Sequence, residues 1–302
     1  MIQTVLILGA SGKIGRHARR AFEKAGWDVR LYDRERGDMT SQAKGADVIV
    51  NGLNPKNYHN WDQLIPEITN DTIAAAKAAG ATVILPGNVY VFGAQPGIWI
   101  EETPHKPSAR KGHIRETCEA AYRASGVQTI VLRAGDFISG EAGDDDAMGL
   151  FYLRDIANGN ITRPSAPDTM HAFCYLPDWA EAARRLAEKR AELPAFTDVN
   201  LGGANFTVSE IQSVLESELG RPLKLKPFPW WVMRVLSPFW ELARELSEMR
   251  YLYDTPHALS NDKLRALLPD FEFTDERTVI LSALPREVRP NNRMTKTHLS
   301  LS

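Results

Sequence analysis

The chain has 302 residues, 43% of them hydrophobic and 25% charged, with 36 Lys and Arg against 38 Asp and Glu. That length supports one large domain or two smaller ones with real cores, and a net charge of -2 excludes a general nucleic-acid-binding surface, which needs a basic face. Cys118 and Cys174, far apart and without ligand spacing, argue against a disulfide framework and against a metal site.

The first half alternates short apolar runs with helical patterns. TVLILG (4–9), WDVRLYD (27–33), ADVIVNG (46–52), ATVILPG (81–87) and QTIVLRAG (128–135) are continuous in Val, Ile and Leu, as strands buried on both faces should be. GKIGRHARRAFEKAG (12–26), LIPEITNDTIAAAKAAG (64–80) and HIRETCEAAYRASG (113–126) carry apolar residues at helical spacing and end on a Gly suited to a C-cap. Alternating strands and helices predict an α/β fold with a doubly wound parallel sheet. No stretch reaches the roughly 18 apolar residues of a spanning helix, and no basic leader precedes the first strand, so a cytoplasmic protein without membrane contact is expected.

The second half changes character. WAEAARRLAEKRAEL (179–193), TVSEIQSVLESELG (207–220) and NDKLRALL (261–268) read as helices between longer Pro-containing segments, and FTDVNLGG (196–203) as a strand. The expected organisation is a nucleotide-binding domain over 1–163, a smaller and mostly helical lobe over 164–285, partly interleaved with the sheet, and a polar tail over 286–302. The aromatic segment from Pro227 to Tyr253, with Trp230, Trp231 and Trp240, reads as a cleft wall or subunit contact. Asp144, Asp145 and Asp146 read as a solvated loop, because hard-metal sites need ligands converging from several segments.

LILGASGKIGRH places Gly9, Gly12 and Gly15 between a strand and a helix. Glycine there lets the backbone turn, lets a pyrophosphate approach, and lets helix pack on strand, with the helix N-terminus facing the phosphates. Gly9, Ala10, Ser11, Gly12, Lys13, Ile14 and Gly15 have the G-x-x-G-x-x-G spacing of the short-chain dehydrogenase/reductase superfamily, and the chain resembles its extended and atypical, epimerase/dehydratase-like branches. Asp33, 18 residues on, stands where an acidic residue meets the adenosine ribose, and Gly37-Asp38-Met39 resembles the family's adenine-contacting G-D-φ element. VYVFG with EETPHKP, HAFCYLPDWAEA and NDKLRALLPDFEFT resemble further family segments.

The resemblance implies a Rossmann fold, an NAD or NADP cofactor and a small-molecule substrate. Asp33 repels a 2′-phosphate and favours NAD, whereas Lys13, Arg16, Arg34 and Arg36 supply phosphate-binding cations, and Arg34 has a second role open to it, stacking on adenine. It also names 64–80 and 113–126 as the helices through which a homodimer would form.

In competent relatives a Ser or Thr polarises the substrate and a Tyr-x-x-x-Lys pair couples proton transfer to hydride transfer. The resemblance places Asn88 on the Ser/Thr position, Lys111 on the Tyr and Arg115 on the Lys. Lys111 and Arg115 lie one turn apart at a helix start, beside Arg110 and His113, where like charges and the helix dipole disfavour cations. Such a lysine suits an acid or base role; its rivals are a fixed cation for an anionic substrate or cofactor, and a solvated basic turn. Tyr90 offers a second phenol, and Asp136, two residues after a strand, a contact to nicotinamide or substrate; capping the next element is its rival. His171 and Tyr175 lie in the segment resembling the lobe hinge. Three functions remain open: an NAD(P)-dependent oxidoreductase or epimerase of a polar, anionic or nucleotide-sugar substrate, a lapsed NAD(P)-sensing binding protein, and electron or hydride delivery to a protein partner, which only the aromatic segment favours.

Overall fold

The structure is a computed structural model and describes residues 2–141 and 146–289. Its strands are β1 (Thr4–Leu8), β2 (Asp28–Leu31), β3 (Val48–Asn51), β4 (Thr82–Asn88), β5 (Gly97–Trp99), β6 (Thr129–Ala134), β7 (Asp136–Ile138), β8 (Asn160–Arg163), β9 (His171–Tyr175), β10 (Phe196–Asn200), β11 (Ala204–Phe206), β12 (Lys224–Pro227) and β13 (His257–Leu259). Its α-helices are α1 (Lys13–Lys24), α2 (Met39–Ala43), α3 (Trp61–Ala79), α4 (Arg110–Ser125), α5 (Leu176–Glu188), α6 (Val208–Leu219), α7 (Trp230–Leu236), α8 (Glu241–Asp254), α9 (Asp262–Leu267) and α10 (Glu276–Ser282).

The central sheet runs β10-β6-β4-β3-β1-β2, and every pairing in it is parallel. Alternation along β1 explains its two layers. Val5 and Ile7 pack with Phe22 of α1 and with Trp179 and Ala183 of α5, whereas Leu6 and Leu8 join Met39, Ala75, Ala76 and Tyr122 from α2, α3 and α4 on the other face. Both faces of β1, β3 and β6 are covered, so both sets must be apolar there, whereas β2 at the sheet edge departs from the buried strand expected of it, with Asp28, Arg30 and Leu31 exposed.

The chain crosses from one side of β1 to the other between β2 and β3, and this reversal leaves a crevice at the carboxyl ends of β1 and β3. Gly9 turns there with φ +72, and a Cβ on it would lie 2.8 Å from the Gly52 carbonyl oxygen. Gly15, inside α1, has even less room: its Cβ would stand 2.3 Å from the Gly9 carbonyl oxygen. The glycines therefore let three backbone segments meet where a side chain would hold them apart.

The second half adds α5 and β10 to the central sheet and builds the lobe from helices and three small sheets, β11-β9-β7, β12-β8 and β13-β5. Those strands are only three to five residues long, too short to show a period in the sequence. Trp230 is buried in the lobe core, its indole N–H donating to the Pro164 carbonyl at 2.7 Å, while Trp231, Phe239 and Trp240 are exposed. Asp144 and Asp145 lie outside the described residues. Asp146 departs from the solvated loop expected of it: it is buried, and its carboxylate accepts from the Ser139 and Gly149 amides at 3.0 and 2.8 Å. Among the described residues no helix is long and apolar enough to cross a membrane.

Gly15→Ala should lower stability by about 1–3 kcal/mol, because the added methyl meets backbone that cannot rotate away. Urea unfolding checks this, and Gly26→Ala is no control, since its φ of +81 is strained in itself.

Candidate functional site

The loops after β1, β3, β4 and β6 gather at the carboxyl edge of the sheet. The first holds Gly9, Ser11 and Gly12, with Lys13, Ile14 and Gly15 opening α1. Gly12 caps that helix without a side-chain bond, and the helix N-terminus faces the loop. Arg16 donates to the Ser11 carbonyl at 3.0 Å and pairs with Glu141 at 3.1 Å. Asp33 follows β2, accepts from the Glu35 amide at 3.0 Å and pairs with Arg36 at 3.3 Å, while Arg34 is exposed. Asp38 caps α2 through the Ser41 amide at 2.8 Å, and Met39 turns into the core. Of the Asp38-Met39 pair, then, only Asp38 stays at the surface.

The catalytic positions are arranged differently from expectation. Asn88 ends β4, and its Oδ1 accepts from the Tyr90 amide at 3.0 Å, which leaves the Nδ2 donors for a substrate oxygen. The Lys111 side chain is wholly buried, and its ammonium pairs with Glu245 and, at 2.6 Å, with Glu248, both from α8. It also donates to the Glu245 carbonyl at 3.2 Å, and the Glu248 carboxylate accepts from the Lys111 amide at 3.1 Å. Arg110 adds a second cation on Glu245, at 3.0 and 3.1 Å. The like-charge cost expected at this helix start is thus relieved by α8, which brings two carboxylates to it. This corrects one expectation, the solvated basic turn: Lys111 is buried, and its ammonium is held by two carboxylates of α8.

Arg115 turns the other way. Its guanidinium lies 4.7 Å over the Trp61 ring and donates to Asn54 Oδ1 at 3.2 Å, and burial lowers its pKa. The two cations, neighbours by spacing, therefore serve different partners.

Tyr90 Oη lies 3.1 Å from Tyr58 Oη, and this second phenol was not among the expected site residues. Tyr58 sits in the loop after β3, NPKNYHN, where Asn57, Tyr58 and Asn60 have φ of 55, 60 and 45. Asparagine tolerates that left-handed conformation, and the Asn-rich loop at the strand reversal was the available signal; a tyrosine does not tolerate it readily. Burial raises the pKa of both phenols, that of Tyr90 more strongly.

Asp136 starts β7. Its Oδ2 lies 3.1 Å from His171 Nε2 and accepts from the Tyr253 hydroxyl at 3.3 Å. The His171 ring stacks on Tyr253 at 5.1 Å and meets His257 edge-on at 4.6 Å. Tyr175 instead packs with the lobe core, against Gly140. His257 is buried, its Nδ1 against the Thr255 carbonyl at 2.8 Å, and burial and His171 together push its pKa down to about 3.

Behind Asn88 lies a buried ion network that sequence reasoning missed. Arg133 on β6 donates to the Asn88 carbonyl at 2.7 Å, to Glu119 of α4 at 3.0 and 2.8 Å, and to Asp198 of β10 at 2.5 Å. Although burial opposes the charge, Glu119 and Asp198 raise the Arg133 pKa, so the guanidinium stays ionised. His105, Glu119 and Asp198 bring ligand-type atoms within 4.8 Å of one another, but Arg133 already supplies the counter-charge a metal would. The buried arginine, a lone charge inside an apolar strand, was the signal for this network.

Residues 5–202 match the family model "NAD dependent epimerase/dehydratase family". The chain belongs to that family. No curated protein sequence matches it. Solved structures share its fold: MoeE5 in complex with UDP-glucose and NAD aligns with TM-score 0.72 at 15% identity, covering 99% of this chain and 100% of that one. UDP-glucose 4-epimerase from Brucella ovis in complex with NAD gives 0.70 at 16%, covering 93% and 97%. The human epimerase family protein SDR39U1 with NADPH gives 0.69 at 16%, covering 92% and 98%. Lys111, which the sequence resemblance set at the family's Tyr position, lies buried beneath α8.

Arg133→Met should cost about 3–5 kcal/mol in urea unfolding, because Glu119 and Asp198 would be left buried without a cation. His257 gives a second expectation. Its folded pKa lies below the unfolded value of about 6.5, so the unfolded state binds more protons between those values and stability falls as pH drops through that window. His257→Gln should reduce the slope of stability against pH between about 4 and 6 by up to one proton, about 1.4 kcal/mol per pH unit.

Proposed function

We propose that this family member is an NAD(P)-dependent oxidoreductase or epimerase of a small polar substrate. The observation that carries the reading is the crowded glycine cradle at the strand reversal, opening beside Asn88, Tyr90 and Asp136. Gly9, Ser11, Gly12, Lys13, Ile14 and Gly15 would hold the pyrophosphate, Asp33, Arg34 and Asp38 the adenosine, and Asp136 would lie at the nicotinamide end. When bound, the nicotinamide supplies a hydride donor or acceptor. The chain's own part is to orient the substrate oxygen by the Asn88 amide and to exchange its proton.

The preference is for NAD. Asp33 opposes a 2′-phosphate, and two of the four candidate cations are engaged, Arg36 with Asp33 and Arg16 with Glu141. A nucleotide-sugar substrate is in keeping with MoeE5 and the Brucella ovis epimerase, whose titles name UDP-glucose. A cytoplasmic homodimer paired through α3 and α4 belongs to the same proposal.

One observation favours a second reading, cofactor sensing without turnover: Lys111 is committed to α8 where relatives keep a reactive phenol. Calorimetric titration with NAD, NADP and their reduced forms tests both. NAD should bind at least fivefold more tightly than NADP, and Asp33→Ala should narrow that preference. Absence of binding by every form contradicts both readings; binding without oxidation or reduction of any sugar nucleotide in a screen favours the sensor.

A further inference from the structure

Three features of the molecule point beyond the cradle: the metal-like group at His105, the exposed aromatics of α7, and the paired phenols of Tyr58 and Tyr90. The first is neutralised by Arg133 and nothing in the structure shows what covers the second. The phenols carry an inference.

We infer that Tyr58 is the proton-exchanging residue of this enzyme, a phenol supplied by the loop after β3 in place of the one missing from α4. The inference rests on the oxidoreductase reading above. Three observations of different kinds support it. The loop holds Asn57, Tyr58 and Asn60 in left-handed backbone, a conformation costly for a tyrosine and kept where the surrounding structure enforces it. That enforcement is visible in the Tyr58 ring, set edge-on to Trp61 at 5.2 Å, and in His59, whose ring lies 3.0 Å from Glu241 of α8. The loop also follows directly from Gly52, whose carbonyl borders Gly9 at the cradle.

The surroundings of Tyr58 reproduce the physical logic of a tyrosine beside a lysine. The Lys111 ammonium stands 4.9 Å from its ring centroid, and the positive charge of Arg115 favours its phenolate. Tyr90 Oη can donate into that phenolate across 3.1 Å, which favours ionisation of Tyr58 first and holds Tyr90 protonated. Burial is the largest influence and raises the Tyr58 pKa, and Asp136 and Glu245 add to it, so Tyr90 and Arg115 lower it only in part. Glu245 and Lys111 are paired with each other, so at Tyr58 their opposite charges offset one another and Arg115 is the cation that acts on the phenol.

For carbonyl reduction, a bound reduced nicotinamide would supply the hydride to the carbonyl carbon, and the C=O electron pair would pass to oxygen. The Tyr58 O–H bond breaks, its proton goes to that oxygen, and the alcohol leaves a Tyr58 phenolate. Tyr90 donates a hydrogen bond to the phenolate until a solvent proton restores it. Oxidation of an alcohol runs the same steps backwards.

The test uses full-length protein labelled with ¹³C at tyrosine Cζ, with resonances assigned by Tyr58→Phe and Tyr90→Phe. Tyr58 should ionise before Tyr90, and Tyr90→Phe should raise the Tyr58 midpoint. With saturating NAD the Tyr58 midpoint should fall by at least about half a pH unit relative to NADH, because only the oxidised ring carries a positive charge. Tyr58→Phe should keep NAD affinity within threefold, and Tyr58→His, a smaller acid, should show whether the loop still folds. Tyr90 ionising first, or equal Tyr58 midpoints with NAD and NADH, overturns the assignment of Tyr58 alone. Failure of wild type to bind either nucleotide overturns the reading beneath it, while the order of ionisation still judges the pair.

Discussion

A buried ammonium needs carboxylates, and the structure around the site is arranged to meet that need. Lys111 lies at the start of α4, where the helix dipole and Arg115 both oppose its charge, and its side chain has no exposure. Stranded there alone it would cost several kcal/mol. Glu245 and Glu248 remove that penalty, and because they lie on one face of α8 the pairing fixes that helix across the carboxyl edge of the sheet.

The position of α8 then determines much of the cleft. Tyr253, two turns beyond Glu245, reaches Asp136 and stacks on His171, tying the lobe to the strand that follows β6. Glu241, one turn before it, meets His59 and steadies the loop that presents Tyr58. On the opposite side Arg133 fixes the Asn88 carbonyl from beneath, through charges on α4 and β10. The two buried cations hold the site from its two sides, one by docking the lobe and the other by anchoring the sheet.

The sheet was legible because strands covered on both faces must be apolar throughout, and the Gly9, Gly12 and Gly15 loop because no other residue fits between Gly9 and Gly52. The small strands of the lobe were hidden by their length, whereas β10, a strand of the central sheet, was legible in FTDVNLGG. For the site, spacing made Lys111 and Arg115 neighbours but could not show their partners. Lys111 and Arg115 are one turn apart in sequence, yet their surroundings are set by Glu245, 134 residues on from Lys111, and by Asn54, 61 before Arg115. Tyr58 escaped notice for a related reason: the Asn-rich loop signalled the left-handed turn, but the hydroxyl it meets lies 32 residues away and leaves no local pattern.

The central claim is that Lys111 docks α8, leaving proton exchange to phenols on the sheet side. A double-mutant cycle of Lys111→Met and Glu245→Gln, read by urea unfolding, addresses it most directly. The account predicts a coupling of about 2–3 kcal/mol, with NAD binding retained in each folded variant. Additivity within about 0.5 kcal/mol would contradict it, because Lys111 would then be free of α8 and available for chemistry.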